Sequence, residues 1–144
     1  MTTQTRPDAM TFSVPSNPAC LAVVRAAVEK LAHLAGFGEQ EAGRIVLAVD
    51  EACTNIIRHQ YGGRYDQRID LEMRLDPEAG ILELALRDYG PERDPSLFRG
   101  RELKDVRPGG LGLHIIREVM DEVEYSAAPG GGMVLKLSKR VRSA

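Results

Sequence analysis

Two residues at helical spacing, Glu51 and Asn55, are the first place where this sequence could do chemistry. Residues four apart lie one above the other on a helix, so a carboxylate and an amide oxygen would share one face. Such a pair can orient a hydroxyl or a water and help to bind a hard cation such as Mg²⁺. His59 continues the same line one turn later. The spacing also occurs on ordinary solvated helix faces, so a purely structural role stays open.

Two further motifs have residue types suited to a ligand with a polar ring and an anionic group. In Asp88-Tyr89-Gly90, the carboxylate can accept a hydrogen bond from a ring amino group, and the glycine lets backbone approach a ligand closely. The stretch Pro108-Gly109-Gly110-Leu111-Gly112-Leu113 opens a helix, where free N–H groups favour an anion. It lacks the Gly-Lys-Ser/Thr of a Walker A loop and the glycine spacing of a dinucleotide fingerprint. Taken singly, the two motifs could be a turn and a hinge.

Two helical patterns precede the first of these ligand-directed motifs. Ser16 or Asn17 can cap the first helix, which has Pro18 in its first turn and ends at Gly36. The second helix follows Gly38 and extends to Tyr61-Gly62-Gly63, so it holds Glu51, Asn55 and His59. Its predicted buried stripe lies beside the Glu51–Asn55 face and consists of Ile45, Ala48, Val49, Ala52 and Ile56.

The remaining segments predict strands, one long loop and a third helix. Alternating polar and apolar residues indicate a strand from Arg68 and its hairpin partner at residues 81–87, with Leu82, Leu84 and Leu86 on one face. Shorter strands are predicted at 10–14, 123–127 and 133–141, and a helix at 111–120. The loop between Asp88 and Gly110 is long enough to favour a functional role. Helices segregated from hairpins predict a two-layer α+β sandwich rather than a doubly wound sheet.

Composition limits the classes of protein that these elements could build. A chain of 144 residues can form one core without a metal or disulfide, and we expect a tail at residues 1–9 and a single domain at 10–144. Nineteen Lys and Arg against 21 Asp and Glu leave no basic footprint for nucleic acid. No apolar run is long enough to cross a membrane and the start is unlike a signal peptide, which favours the cytoplasm. Cys20 and Cys53 are predicted to be small, mostly buried thiols.

The order of the three motifs, together with their setting, resembles the histidine-kinase-like (GHKL) ATPase superfamily. Within it, the chain looks like the small single-domain anti-sigma-factor serine kinases. The match is close in Leu47-Ala48-Val49-Asp50-Glu51-Ala52-Cys53-Thr54-Asn55 and in Gly109-Gly110-Leu111-Gly112-Leu113, and it spans about residues 10–141. The resemblance implies a Bergerat-type ATP site between helices and a mixed, mostly antiparallel sheet, with a lid over the nucleotide.

Roles carried over from the family apply to the matching positions only. Glu51 would be the general base that activates the attacking hydroxyl, and Asn55 would bind Mg²⁺. Asp88 would hold the amino group of adenine, while Gly90 would let the backbone pass close to the base. The other implied nucleotide contacts are His59, Arg107, Gly109, Gly110, Leu111 and Gly112.

The resemblance also implies an activity and partners. The chain would be an ATP-dependent serine kinase and anti-sigma factor that binds a sigma factor, phosphorylates an anti-sigma-factor antagonist and forms a homodimer. One departure favours an alternative, an ATP-binding module that sequesters a partner without phosphotransfer. The family often carries a Thr where this chain has Pro129-Gly130-Gly131-Gly132-Met133. A two-component histidine kinase is disfavoured because 144 residues leave no room for a dimerisation helix pair, so His33 is predicted to be an ordinary helix-face residue.

Overall fold

The computed structural model describes residues 9–94 and 110–142. The predicted α+β class is confirmed: the described residues form one sheet that packs against three helices. Residues 1–8 of the expected tail lie outside the described part, and its last residue, Ala9, begins β1. The elements in chain order are β1 (Ala9–Pro15), α1 (Leu21–Ala35), α2 (Glu39–Asn55), β2 (Arg68–Asp76), β3 (Ile81–Arg87), α3 (Gly110–Val119), β4 (Glu122–Ala127) and β5 (Met133–Arg140).

The five strands lie in the order β1-β2-β3-β5-β4, and each neighbouring pair is antiparallel. The sheet is therefore antiparallel rather than mixed. The reason is the position of β5, which lies between β3 and β4 and so keeps these two strands from pairing in parallel. One inward row of paired residues crosses all five strands: Phe12, Leu71, Leu86, Leu135 and Tyr125.

The core lies between this sheet and the helices. Alternate residues of the central strands point inward, as their period of two predicts, and Leu82, Leu84 and Leu86 are all buried. Each fully buried aliphatic side chain contributes about 1.5–3 kcal/mol. The helical stripes are buried against them, namely Val24 and Val28 of α1 and Ile45, Ala48, Val49 and Ala52 of α2. Cys53 is fully buried and Cys20 is half-buried.

The ends of α1 follow the predicted signals. Of the two candidate caps, Asn17 accepts a hydrogen bond from the Ala19 N–H and starts a 3₁₀ turn that leads into the helix. Ser16 is instead buried, where its hydroxyl donates to the Arg64 carbonyl. Gly36 ends α1 in the left-handed conformation with φ of 106°. These contacts fix the connection from β1 into the helical layer.

The end of the second helix differs from the prediction. The helical segment reaches Gln60, but α2 ends at Asn55 and the last turn, Ile56–Gln60, is π-helical. In this turn the Tyr61 N–H bonds to the carbonyl of Ile56, five residues earlier. The wider turn departs from the straight helical line that the sequence predicts from Asn55 to His59. No helix in the described part of the chain is long and apolar enough to span a membrane.

Candidate functional site

The edge of α2 carries the predicted Glu51–Asn55 pair. Both residues are half-buried beside the apolar stripe. The side-chain oxygen of Asn55 is buried, and within residues 9–94 and 110–142 it has no hydrogen-bond partner. A buried acceptor without a donor costs about 1–3 kcal/mol. An oxygen in this state is suited to a ligand or a cation, and Mg²⁺ prefers oxygen ligands.

Asp88 follows β3 at the other end of the site and is only 3% exposed. Three donors converge on its Oδ1 atom: Gln60 Nε2 at 2.8 Å, the Gly90 N–H at 2.9 Å and the Met133 N–H at 3.3 Å. None of these bonds uses Oδ2. A buried carboxylate held in this way has one oxygen fixed by the protein and a second that can accept from a ligand's amino group.

Two glycines allow the chain to pass close to Asp88. A Cβ on Gly90 would lie 2.7 Å from the Gln60 carbonyl oxygen, so this glycine is required for packing against the π-helical turn. A Cβ on Gly132 would lie 2.1 Å from the Asp88 carbonyl oxygen, and the residue has φ of +86°. The predicted contact between Gly90 and an adenine base stays a prediction.

Tyr61 fixes the backbone below this carboxylate. Its ring is buried, and its hydroxyl donates to the Arg68 carbonyl and accepts from the Tyr89 N–H at 2.7 Å. Burial raises the pKa of the Tyr61 phenol, against the opposite effect of the Tyr89 N–H bond. The phenol therefore stays neutral and joins the start of β2 to the turn that carries Asp88.

Gln60, Tyr61 and Met133 are site residues that the sequence analysis missed. Gln60 directly precedes the Tyr61-Gly62-Gly63 stop and has the pattern of a helix-end polar residue. The sequence places Tyr61 only in that stop, and Met133 contributes a backbone N–H, which every residue type except proline would offer. No sequence signal distinguishes the π-helical turn that turns Gln60 toward Asp88.

The remaining predicted contacts are described in part. Arg107 and Gly109 lie outside the described residues. Gly110, Leu111 and Gly112 form the first turn of α3, where N–H groups have no intrahelical acceptor and an anion is favoured. The His59 side chain is exposed on the π-helical turn, and its carbonyl accepts from Arg93 Nη2 at 3.0 Å.

The described acidic, histidine and cysteine side chains do not form a complete metal site. In the part of the chain that the structure describes, no three of them come together in a group that could hold an ion. A cation at Asn55 would therefore share its shell with a ligand and with water, which is the usual arrangement for Mg²⁺ bound with a nucleotide phosphate.

Comparisons with known proteins show what this chain is similar to. Serine-protein kinase RsbW of Halalkalibacterium halodurans is 29% identical over 142 residues, covering 93% of this chain and 84% of that protein. RsbW of Bacillus pumilus is 28% identical over 135 residues, with 85% and 81% covered.

Solved structures share the fold at low identity. A chain of the SiaB-SiaC complex from Pseudomonas aeruginosa superposes with a TM-score of 0.67 at 17% identity, covering 90% of this chain and 88% of that one. The structure of the RsbU and RsbW domains of Rv1364c from Mycobacterium tuberculosis gives 0.62 at 15%, covering 92% and 31%. The family described as histidine kinase-like ATPase domain matches residues 14–139. The chain therefore belongs to the histidine kinase-like ATPase domain family, which confirms the superfamily that the motifs predict.

Proposed function

We propose that this protein is an ATP-dependent serine kinase that acts as an anti-sigma factor in a partner-switching system. The observation that carries the proposal is the polar edge of the second helix. The Asn55 oxygen, which has no partner among the described residues, lies one turn after Glu51, and the final turn of this helical segment contacts Asp88. The name of the relatives, serine-protein kinase, supports the same activity.

The residues would divide the work along this edge. Asp88 would accept from the 6-amino group of adenine, and the Asn55 oxygen would bind Mg²⁺ together with the phosphates. ATP supplies the phosphoryl group. Glu51 would take the proton of the serine hydroxyl while the serine oxygen bonds to the γ-phosphorus and ADP departs. The first-turn N–H groups of α3, from Gly110 to Gly112, would hold phosphate charge with Arg107, Gly109 and His59.

The partners and the location belong to the same proposal. We propose that the substrate is a serine of an anti-sigma-factor antagonist, and that a sigma factor is the alternative partner. The nucleotide state would decide which partner is held. A homodimer and a cytoplasmic location complete the proposal.

A transfer assay with Glu51→Gln tests the kinase activity. The wild type with Mg²⁺ and ATP should add one phosphoryl group to a serine of an antagonist protein from the same genome, measured by mass spectrometry. Glu51→Gln should lower the rate at least 100-fold and leave ATP affinity within about twofold, because it removes the base and keeps the shape. Glu29→Gln, an exposed glutamate of α1, is the matched control.

Calorimetry with Asn55→Ala tests whether Asn55 binds Mg²⁺. The variant should lose most of the increase in ATP affinity that Mg²⁺ produces in the wild type. Tight ATP binding without a phosphorylated product would favour the regulatory module that sequesters a partner. The replacement of a family Thr by the Pro129–Met133 turn is the feature that favours that alternative. An absence of ATP binding would exclude both.

A further inference from the structure

The Gln60 side chain forms three hydrogen bonds at the base end of the site. Its Nε2 atom donates to Asp88 Oδ1 at 2.8 Å and to the Pro91 carbonyl at 2.9 Å, and its Oε1 accepts from Arg93 Nε at 2.5 Å. We infer that Gln60 is a positioning residue that holds the Asp88 carboxylate for recognition of a 6-amino purine. The inference rests on the proposed nucleotide site.

The chemistry of the neighbours determines the orientation of the carboxamide. A guanidinium can only donate, so the side of Gln60 facing Arg93 must be the oxygen. A carboxylate and a carbonyl can only accept, so the side facing Asp88 and Pro91 must be the NH₂ group. Glutamine satisfies both sides at once. Glutamate would have no N–H for Asp88 and would bring a second negative charge toward a buried carboxylate.

This contact decides which oxygen of Asp88 is left for a ligand. Gln60 and the two backbone N–H groups of Gly90 and Met133 all bind Oδ1. Rotation of the carboxylate would break these three bonds, so Oδ2 is the oxygen held toward a base. An acceptor-only oxygen prefers an amino group, as in adenine, over the 6-oxo group of hypoxanthine. Gln60 thereby acts on base selectivity without touching the base.

The contact also joins Asp88 to the segment that follows it. The Arg93 guanidinium donates to Gln60 Oε1 and to the His59 carbonyl, and the Arg93 backbone N–H donates to the Met133 sulfur at 3.4 Å. Pro91 and Arg93 are thus held against the π-helical turn by the same carboxamide that holds Asp88. Loss of the Arg93 guanidinium would leave the carboxamide free to flip its NH₂ group away from the carboxylate.

The test compares ADP with IDP, which carries a 6-oxo group in place of the 6-amino group. Calorimetry should show that Gln60→Met weakens ADP binding about tenfold and leaves IDP binding within about twofold, so the preference for ADP falls. Gln67→Met is the matched control, because Gln67 also donates its carboxamide to an aspartate, at Asp66, away from the site. It should keep the wild-type preference.

A second variant keeps the test valid if Gln60→Met fails to fold. Arg93 lies outside the helices, so Arg93→Met disturbs the Gln60 carboxamide without changing a helical residue. This variant should lower the preference for ADP over IDP about threefold. Unchanged preference in folded Gln60→Met, or tighter ADP binding, would overturn the inference; tighter binding would show that the carboxamide competes with the base. If the wild type binds neither ADP nor IDP, the proposed nucleotide site itself is wrong. If the wild type prefers ADP and Gln60→Met keeps that preference, only the role of Gln60 is wrong.

Discussion

Asp88, directly after β3, and Asp70, in β2, each accept several hydrogen bonds, yet their surroundings are opposite. Asp88 is buried and takes Gln60 and two backbone N–H groups on one oxygen. Asp70 lies on the open face of the sheet with 30% of its side chain exposed, and it accepts from the hydroxyls of Ser13 and Tyr89 and pairs with Arg68 at 3.1 Å. The guanidinium groups of Arg68 and Arg87 both lie over the ring of Tyr89, each 4.5 Å from its centre.

The difference shows where polar contacts make a site. The Asp88 donors are neutral, and two of the three are backbone N–H groups. They hold a buried carboxylate oxygen in one orientation, and water cannot replace a hydrogen bond that is lost there. The Asp70 partners are side chains in contact with water, which screens charge and competes for each bond. Asp88 and Tyr89 are consecutive, so a single step along the chain separates the candidate site from an ordinary surface cluster.

The largest effect is expected from closing the space behind Asp88. Gly132→Ala would place a Cβ 2.1 Å from the Asp88 carbonyl oxygen at φ of +86°, and should lower the free energy of unfolding by about 3 kcal/mol or more. Gly130→Ala is the matched control: φ is +85° and nothing lies within 4 Å, so only the backbone cost of about 1–2 kcal/mol remains. Equal losses in urea unfolding would contradict the close packing.

Removing one charge from each cluster tests the comparison directly. In Asp88→Asn, the three donors would keep the amide oxygen and turn the NH₂ group toward the ligand, where an amino group must also donate. ATP binding should weaken by about 1–3 kcal/mol, measured by calorimetry. Asp70→Asn should leave ATP affinity unchanged. A comparable loss in both variants would show that the open face also belongs to the binding site.

The Tyr61 hydroxyl lies between the two clusters, so Tyr61→Phe tests how much its hydrogen bonds contribute to the stability of the fold. The variant leaves the Tyr89 N–H without its acceptor and should cost about 1–3 kcal/mol of stability at neutral pH.

The pH dependence of stability in the alkaline range gives a separate test of Tyr61. Because burial raises the pKa of the phenol, its contribution is complete below pH 10 and declines as the pH rises through the higher folded-state pKa. Tyr61→Phe should therefore lose stability less steeply above pH 10 than the wild type does. Parallel stability profiles would refute this role.

The smallest effect is expected at Asp70. Partial burial opposes its ionisation, but the hydroxyls of Ser13 and Tyr89 and the charge of Arg68 hold the pKa of the carboxyl below its ordinary value of 3.8. Its stabilisation is therefore present above that value and is lost as the pH falls through the lower folded-state pKa. Asp70→Asn should cost less than about 1 kcal/mol at pH 7. Thermal melts of both proteins should converge at acid pH; a gap that persists there would contradict the ionic origin.

The elements were predictable because their signals are local. Alternation identified β2 and β3, the 3.6-residue period identified the helices, and Gly36 marked an end through its left-handed backbone. The strand order was not predictable in full, since the insertion of β5 between β3 and β4 depends on contacts distant in sequence. This one placement makes the sheet antiparallel throughout.

The sequence by itself determined the residue types of the site and the helix and strand that carry them: Glu51 and Asn55 at a four-residue spacing, and Asp88 with Gly90 after a strand. Only the tertiary structure decided which groups surround Asp88. Gln60 reaches it through a π-helical turn, and Met133 reaches it from 45 residues away through a backbone N–H. The physical reason is that hydrogen-bond partners across a core depend on helix winding and strand pairing, which no single residue encodes.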